Sequence, residues 1–311
     1  MSTNEHAPAG LAEQSLPGGG IARYERPAES IRDLITGYHF YRAPRGQARS
    51  DWFLPGTANI RISWYNKPIA VTIGDRRFDP LPQAALFGPT SQAIHARTRG
   101  GFMVGIGVSA LGWSRLFRKS ADEVADAIVP LQEMWPADDA DALCRLLQGH
   151  DVDQPVAPLL DAFLLPRLTT PHRDEDLIAT LARLIVAEDI VHVRDIVEAM
   201  TVDESRLRRL AYRYFGFSPR MLLRRTRFLR SIIPISRDAA APAAHAIADN
   251  YFDQSHFIRE ARRVLGMTPV RFAELEKPFL TASLELRPKV LGADTQALQP
   301  IGRPKPSIGS G

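Results

Sequence analysis

The chain contains 311 residues, of which 45% are hydrophobic, and its formal net charge is +4. This length predicts two domains, and the apolar content suffices for two cores. A single cysteine, Cys144, excludes an internal disulfide and a multi-cysteine zinc site. Because the sequence also lacks an export signal and a long apolar run, we expect a soluble cytoplasmic protein without a membrane partner.

The first segments of the chain predict a leader and a short helix. Residues 1–20 contain Pro17 and the consecutive glycines Gly18 to Gly20, which predicts a disordered leader. These glycines precede no strand, turn and helix of the kind that binds nucleotides. A short helix is predicted around Ala28 to Tyr38.

The next segments are short apolar runs separated by turn residues such as Asn-Lys-Pro and Gly-Asp. This spacing is typical of an antiparallel barrel or sandwich. A small closed barrel can hold one small ligand. The predicted strands are residues 60–65, 69–73, 84–87, 93–97 and 102–108.

Candidate ligands for a metal in this half are few. Only His39 and His95 lie near predicted strands, without a His-x-His pair or a nearby carboxylate, so no metal or cofactor is predicted. Four aromatic residues could line an effector pocket, although packing of the barrel core is the favoured interpretation: Trp52, Trp64, Tyr65 and Phe87.

A helical connector follows the strands. Breakers between Leu168 and Arg173 predict the end of an effector-sensing or dimerisation domain at residues 21–172, followed by a second domain at residues 173–276. The predicted helices are 111–117, one that opens with a capping box at Ser120 and ends before Pro130, 138–147, 158–163 and 174–186.

Residues 193–272 contain one structural unit twice. The glycines Gly216 and Gly266 lie fifty residues apart, as do Pro219 and Pro269, which marks a duplicated supersecondary unit. In the first copy, a helix from Val193 to Met200 precedes a second helix that begins near Asp203. The pattern Thr201-Val202-Asp203-Glu204 predicts a capping box there, and Gly216 predicts the stop.

The second copy has the same plan. A helix from about Pro242 to Asp249, a turn at Asn250 to Phe252, and a helix that opens at Asp253 predict a second helix-turn-helix. A helix from Pro219 to Ile233, ended by Pro234, joins the copies. Residues 277–311 lose the periodicity and predict a C-terminal tail.

The charge of this region favours DNA as its partner. Between Ser205 and Arg237 there are ten arginines and no acidic residue, whereas a solvated helix face would mix both signs. The planar guanidinium suits contacts to guanine and to phosphate.

The string from Tyr251 to Arg259, followed by Gly266-Met267-Thr268-Pro269, resembles the AraC/XylS family of bacterial transcriptional regulators. Leu207, Phe215-Gly216 and Ser218-Pro219 resemble the other half of the same DNA-binding module. The N-terminal 190 residues are more loosely similar, over 102–116 and 126–135, to a cupin-like sensor half. The resemblance implies an α+β fold with a small antiparallel β-barrel, a helical connector and an all-α double helix-turn-helix.

The resemblance also implies which residues contact DNA. Two helices would read successive major grooves on one face of the duplex, and arginines beside them would contact phosphates. The implied base-reading residues are Ser205, Arg208, Arg209, Gln254, Ser255 and Arg259, with His256 beside them. The implied phosphate contacts are Arg206, Arg213, Arg262 and Arg263.

Three features depart from the family pattern. Asn250 replaces a glycine in the second turn, which asparagine tolerates. Ala211 and Ala261 replace a phenylalanine in each recognition helix, so the cores are either underfilled or repacked by Tyr212, Tyr214 or Phe228. The connector from Ser236 to Pro242 is unusually rich in alanine.

We therefore predict a transcriptional regulator, not an enzyme, that binds double-stranded promoter DNA in the nucleoid and acts with RNA polymerase. Its N-terminal half would bind an unknown small-molecule effector or a partner, and could form a homodimer. Two alternatives stay open: an effector-independent DNA-binding protein whose N-terminal half only dimerises, and a cupin-like metalloenzyme half fused to a DNA-binding module. Neither activation nor repression is favoured by the sequence.

Overall fold

The computed structural model describes residues 10–65, 69–151, 153–237 and 254–301. Strands dominate the first part of the chain and helices the remainder, so the predicted α+β class is confirmed. The strands form two separate antiparallel sheets, and within the described residues they do not close into the predicted barrel.

The larger sheet has seven strands and the smaller sheet four, among the described residues. All five strands that were predicted are present. The strands are β1 (Leu11–Leu16), β2 (Gly20–Glu25), β3 (Ile35–Ala43), β4 (Arg49–Phe53), β5 (Asn59–Tyr65), β6 (Ala70–Ile73), β7 (Arg76–Phe78), β8 (Ala84–Phe87), β9 (Ile94–Thr98), β10 (Gly101–Val108) and β11 (Ile128–Pro130). Their order is β1-β2-β3-β10-β5-β8-β11 in the larger sheet and β4-β9-β6-β7 in the smaller sheet.

Strand β5 shows how the larger sheet uses its two faces. Ile60 and Ile62 are fully buried on one face, in a core that also contains helices. Arg61 points to the other face because side chains alternate along a strand. There β10 lies between β3 and β5, so that Gly105 stands between His39 and Arg61. This second face is turned toward the smaller sheet and a C-terminal helix.

The predicted disordered leader is wrong for residues 10–20. Strands β1 and β2 form a hairpin over these residues. Gly18 and Gly19 both adopt positive φ angles, of 67° and 75°, which only glycine reaches without steric cost, so the glycines form the turn. Residues 1–9 lie outside the described residues.

The predicted helix around Ala28 to Tyr38 is also wrong. Residues 29–34 form turns, and β3 begins at Ile35. Strand β3 pairs with β2 on one side and β10 on the other, and this pairing outweighs the helical spacing of its apolar residues.

The helices predicted for the connector are present with bounds that differ by one residue, apart from the one at Ser120. There the capping box forms, but only a 3-10 turn over Ala121–Val124 follows, because Ile128 pairs with Phe87 in the larger sheet. The helices are α1 (Ala110–Leu116), α2 (Ala137–Gln148), α3 (Ala157–Leu164), α4 (Glu175–Ile185), α5 (Val193–Met200), α6 (Glu204–Phe215), α7 (Pro219–Arg237), α8 (Gln254–Leu265), α9 (Pro269–Glu274) and α10 (Pro278–Leu291).

The turn between α5 and α6 differs from the predicted capping box. Thr201 adopts a left-handed conformation with φ of 53° and ends α5. Asp203 caps α6 instead, and its side chain accepts a hydrogen bond from the Arg206 amide at 2.7 Å. A short carboxylate at this position satisfies an amide that the helix leaves unpaired.

Helix α7 continues through Pro234, which was predicted to end it. Ile232, Ile233 and Ile235 are all buried in a core with α8 and α10, and this packing offsets the hydrogen bond that proline cannot donate. The predicted helix at 242–249, the turn at 250–252 and most of the connector at 236–242 lie outside the described residues.

The predicted C-terminal tail is wrong for residues 278–291, which form α10. This helix packs against β1, β2, β3 and β4 on one side and α7 on another. Its buried residues lie on more than one face, which is why it shows no amphipathic period in the sequence. Among the described residues no helix has both the length and the apolar composition to cross a bilayer.

Candidate DNA-binding surface

Helix α6 separates its apolar and cationic residues cleanly. Leu207, Leu210 and Ala211 are buried in the same core as α1 and α4. All five residues predicted to contact DNA from this helix are exposed: Ser205, Arg206, Arg208, Arg209 and Arg213. The outer face of α6 is therefore open to a ligand that lies along it.

The two alanines that replace a phenylalanine of the family pattern lie inside well-covered cores. Ala211 and Ala261 are both fully buried. Tyr214 and Phe228 are buried near them, with the Phe228 ring 5.9 Å from Phe257. The cores are thus repacked by neighbouring aromatic residues.

Arg209 is held in place by its own helix. One guanidinium nitrogen donates a hydrogen bond of 2.7 Å to the Ser205 hydroxyl, one turn earlier. This bond reduces the conformational freedom that the side chain would lose on binding a base. Both residues lie in the N-terminal half of α6, the half that enters the major groove in helix-turn-helix proteins.

Two arginines that were predicted to contact phosphates are engaged within the protein. Arg206 lies 2.9 Å from the carboxylate of Asp174, which also accepts a hydrogen bond of 3.0 Å from the Tyr214 hydroxyl. Arg213 donates to the backbone carbonyl of Arg118 at 3.2 Å. Both side chains are exposed, so these contacts orient them without covering them.

Helix α8 has an open N-terminal end and a docked C-terminal end. Its exposed residues are Gln254, Ser255, Arg259 and Arg262, and His256 and Arg263 are half-buried. Near the C-terminal end, the Val264 carbonyl accepts a hydrogen bond of 2.8 Å from the Ala93 amide of the N-terminal half. The predicted base-reading residues therefore lie exposed in the N-terminal half of α8.

Glu260 organises the inner side of α8. It is only 1% exposed, and its carboxylate pairs with Arg224 of α7 and with Arg263 at 2.7 Å. Arg263, which was predicted to contact phosphate, is therefore committed to a buried carboxylate. Pairing and hydrogen bonding are what make a buried charge of this kind tolerable.

The arginines of α7 divide into structural and open ones. Arg225 is 5% exposed and donates to the backbone carbonyls of Gly56 at 3.0 Å and Thr90 at 3.2 Å. Burial lowers its pKa to about 10. Arg230 donates to the Val186 carbonyl at 2.7 Å. These two contacts fasten α7 to the N-terminal half and the connector.

A groove of about 840 Å³ lies between α5, α7 and α8. Arg220 and Arg227 line it, seven residues apart on one face of α7, and His192 and His256 lie on its other sides. Neither arginine is paired within the described part of the chain. The sequence did not single out these two arginines as DNA contacts. The signals that could have done so were their seven-residue spacing, which places them on one helix face, and the absence of acidic residues nearby.

The aromatic residues of the N-terminal half fall into two groups. Trp52 stacks on His95, with ring centroids 4.3 Å apart, and Trp64 stacks on Phe102 at 4.8 Å. These contacts agree with a role in packing. Tyr65 and Phe87, in contrast, line a cavity between the two sheets.

The two histidines near the strands lie in different sheets. His39 is buried on β3, and burial, followed by Arg61 and Arg287, lowers its pKa well below the ordinary value. His95 on β9 shares a hydrogen bond of 2.7 Å with Ser50. The described residues contain no group of three or more histidine, cysteine or acidic side chains that could hold a metal ion.

Residues 196–274 match a family described as "Helix-turn-helix domain". Among solved structures, ToxT from Vibrio cholerae O395 is similar with 13% identity, a TM-score of 0.41, and coverage of 76% of this chain and 96% of that chain. An unsaturated fatty acid bound ToxT from Vibrio cholerae strain SCE256 has 11% identity, a TM-score of 0.42, and coverage of 76% and 94%. The AraC-like transcriptional activator CuxR has 12% identity, a TM-score of 0.30, and coverage of 75% and 88%. No curated protein matches the sequence.

Proposed function

We propose that this chain is a transcriptional regulator of the AraC type, in which α6 and α8 read two successive major grooves of one promoter. The helix-turn-helix match at residues 196–274 supports this proposal. The observation that carries the proposal is the pair of exposed faces at the N-terminal ends of α6 and α8, both joined to α7. On each face a serine and an arginine stand four residues apart, Ser205 with Arg209 and Ser255 with Arg259.

Each side chain has a chemical role in this proposal. Arg209 and Arg259 suit bidentate contact with guanine O6 and N7, and Gln254 suits adenine N6 and N7. Arg208, Ser205 and Ser255 complete the base contacts. Phosphates are contacted by a larger set, which positions the duplex without specifying its sequence: Arg206, Arg213, Arg220, Arg227, His256 and Arg262.

We further propose that the N-terminal half adjusts the angle between the two reading helices. Three contacts support this: Arg225 of α7 bonds to the carbonyls of Gly56 and Thr90, the Ala93 amide bonds to the Val264 carbonyl of α8, and Arg213 of α6 bonds to the Arg118 carbonyl. A ligand or partner that moves these loops would move both helices. The proposed setting is the nucleoid, where the regulator would act with RNA polymerase. An N-terminal half that only dimerises is the second candidate.

The test is selection of bound sequences from a random duplex pool by the full-length chain, followed by footprinting. We expect two short conserved blocks on one face of the duplex, with centres roughly 10 base pairs apart. A single block would mean that only one helix-turn-helix reads bases. Enrichment of no sequence would contradict the proposal, and sedimentation of the protein with and without the selected duplex would reveal a dimer.

A further inference from the structure

Two adjoining cavities lie between the larger sheet, β4 and α10. The first has a volume of about 90 Å³ and is bounded on one side by Leu280, Leu284 and Arg287 of α10. The second, of about 50 Å³, extends between the sheets toward Phe87. Tyr41, Phe53 and Arg61 line both cavities, so the Arg61 side chain stands at their junction.

Arg61 has no carboxylate partner among the described residues. Its Nε donates to the Asn59 side chain at 3.2 Å, and the guanidinium carbon lies 4.0 Å from the Phe87 ring centroid and 5.7 Å from that of Phe53. Burial lowers its pKa. A partly buried guanidinium on a cavity wall, with only a neutral partner and two aromatic rings, is suited to receive an anion.

The backbone opposite Arg61 leaves room for the ring of His39. Gly105 lies between Arg61 and His39 in the register of the sheet. A Cβ atom at Gly105 would come within 2.1 Å of the His39 ring. Glycine at this position therefore allows the His39 ring to lie across β10, beside the guanidinium of Arg61.

The larger cavity carries a second positive charge and no acidic lining residue, whereas the smaller cavity is lined by Arg49 and Asp51 as well as Arg61. Arg287 is 3% exposed, and its hydrogen bonds within the described residues go to neutral oxygens: the carbonyls of Ala293 and Thr36, and Gln299 Oε1 at 2.6 Å. His39 adds no compensating charge. The electrostatic character of the cavity is therefore that of an anion site.

We propose that these cavities bind a small organic acid, with its carboxylate on the Arg61 guanidinium and its apolar body against Phe53 and Phe87. The planar fork of arginine matches a carboxylate bidentately. Cavities of this size suit an acid with a short apolar body. This inference rests on the proposed function, since it names the effector class of the N-terminal half.

Helix α10 gives such a ligand a route to the DNA-binding domain. Its first turn is tied to β4, because the amides of Phe279 and Leu280 donate to the oxygens of the Asp51 carboxyl group at 2.7 and 3.4 Å. Just before it, the Lys277 ammonium donates to the carbonyls of Ala273 and Leu275, at the end of α9. A ligand against α10 therefore acts on the segment that follows the second reading helix. By linkage, DNA then changes the affinity for the acid by the same factor.

The test uses the full-length chain without DNA and the sodium salts of acetate, butyrate, hexanoate and benzoate, at constant ionic strength. The corresponding alcohols, from ethanol to benzyl alcohol, provide the same bodies without the charge. We expect at least one acid to raise the melting temperature in a concentration-dependent way and to bind measurably in calorimetry, and its alcohol to do neither. No shift with any acid, or an equal shift with the alcohol, would overturn the proposal.

Arg61→Gln is the diagnostic variant, and we expect it to weaken acid binding by roughly 10- to 100-fold, the range of a lost charge-assisted hydrogen bond. Arg42→Gln is its matched control, because Arg42 lies on β3 in the same sheet but pairs with Asp153 at the surface. Unchanged affinity in Arg61→Gln would contradict the proposal. Hydrogen exchange of the wild-type chain gives a second test that needs no variant: the acid should protect β5 and α10, and protection confined to other elements would refute the site.

Two separate measurements distinguish a failure of the proposed DNA-binding function from a failure of the proposed acid site. Affinity for the selected duplex is measured without acid, and acid binding is measured without DNA. A chain that binds the acid through Arg61 but selects no DNA sequence would sink the proposed function and leave the anion site standing. A chain that selects DNA but binds none of the four acids would refute the acid site and leave the proposed function standing.

Discussion

Arg209 and Arg259 occupy the same position in the two copies of the repeated unit, fifty residues apart. Both are exposed near the N-terminal ends of α6 and α8. We expect Arg209→Ala and Arg259→Ala each to relax base preference in a different block of the selected site, at a cost of about 1–3 kcal/mol for the preferred base. Sequence selection with each variant measures this. Arg32→Ala, at an exposed arginine of the N-terminal half, is the control.

The arginines of α7 show what a sequence can tell about single residues. Their number and the lack of acidic neighbours correctly mark a cationic helix. However, Arg220 lines an open groove and Arg225 is buried against two carbonyls, although both are arginines on one helix. The partners of Arg225 come from loops more than 130 residues earlier in the chain, so no local pattern could identify its role.

Asp51 makes stability depend on pH in an unusual direction. Burial raises its pKa from 3.8 to about 7, although three backbone amides and Lys277 act in the opposite sense. Because the folded state holds this proton up to about pH 7 and the unfolded state releases it near pH 4, unfolding releases a proton between these values. The contribution of Asp51 to stability therefore falls as pH rises from about 4 to 7.

We expect Asp51→Asn to remove that fall, which is on the order of a few kcal/mol for a shift of this size. The measurement is chemical denaturation of wild type and variant at several pH values. Since burial lowers the pKa values of His39 and His95, these groups act in the opposite direction, and only the difference between the two proteins isolates Asp51. Parallel stability curves from pH 4 to 7 would show that the carboxyl group is not protonated in the folded state.

At the scale of elements, the helix-turn-helix helices were predictable because their signals are local. Gly216 takes a positive φ of 81° at the end of α6, as its position in the repeat indicates. The strands at 60–65 and 102–108 were equally clear from composition. The first hairpin and β3 were missed because their stability comes from pairing with distant strands, and α10 was missed because it is buried on several faces.

Helix α10 should therefore be essential to the fold. Leu284 is 2% exposed and lies in the core shared by α7, α8 and α10. We expect Leu284→Ala to lower the free energy of unfolding by about 2–5 kcal/mol, the usual cost of truncating a buried leucine. Leu165→Ala is the matched control at an exposed leucine, for which we expect a change within about 0.5 kcal/mol. A cost for Leu284→Ala as small as that of the control would mean that α10 is only loosely attached.

At the scale of the whole molecule, the predicted boundary near residue 172 does not coincide with a gap in the core. One continuous cluster of buried residues joins Ile60 and Val104 of the larger sheet to Ile178 of α4 and Leu207 of α6. The composition of the chain changes at the predicted boundary, but packing across it is decided by surfaces that form only after folding. The boundary itself stays a prediction.

This packing determines which arginines of the DNA-binding domain remain available to phosphate. With roughly 6 to 10 phosphate contacts, affinity for the duplex should fall about 10³- to 10⁵-fold between 50 and 200 mM salt. We expect Arg220→Ala to reduce the slope of log affinity against log salt by about 1, because this exposed side chain is unpaired within the described residues and lines the groove between the two units.

Arg263→Ala should behave differently, although the sequence places Arg263 among the phosphate contacts. Its guanidinium lies 2.7 Å from the buried carboxylate of Glu260, so it releases no counterion when DNA binds. We expect an unchanged salt slope and a loss of stability, because Glu260 would keep only Arg224 as a partner. Fluorescence anisotropy at five salt concentrations, with thermal unfolding beside it, distinguishes the two arginines. An unchanged salt slope for Arg220→Ala as well would show that Arg220 makes no phosphate contact in the complex.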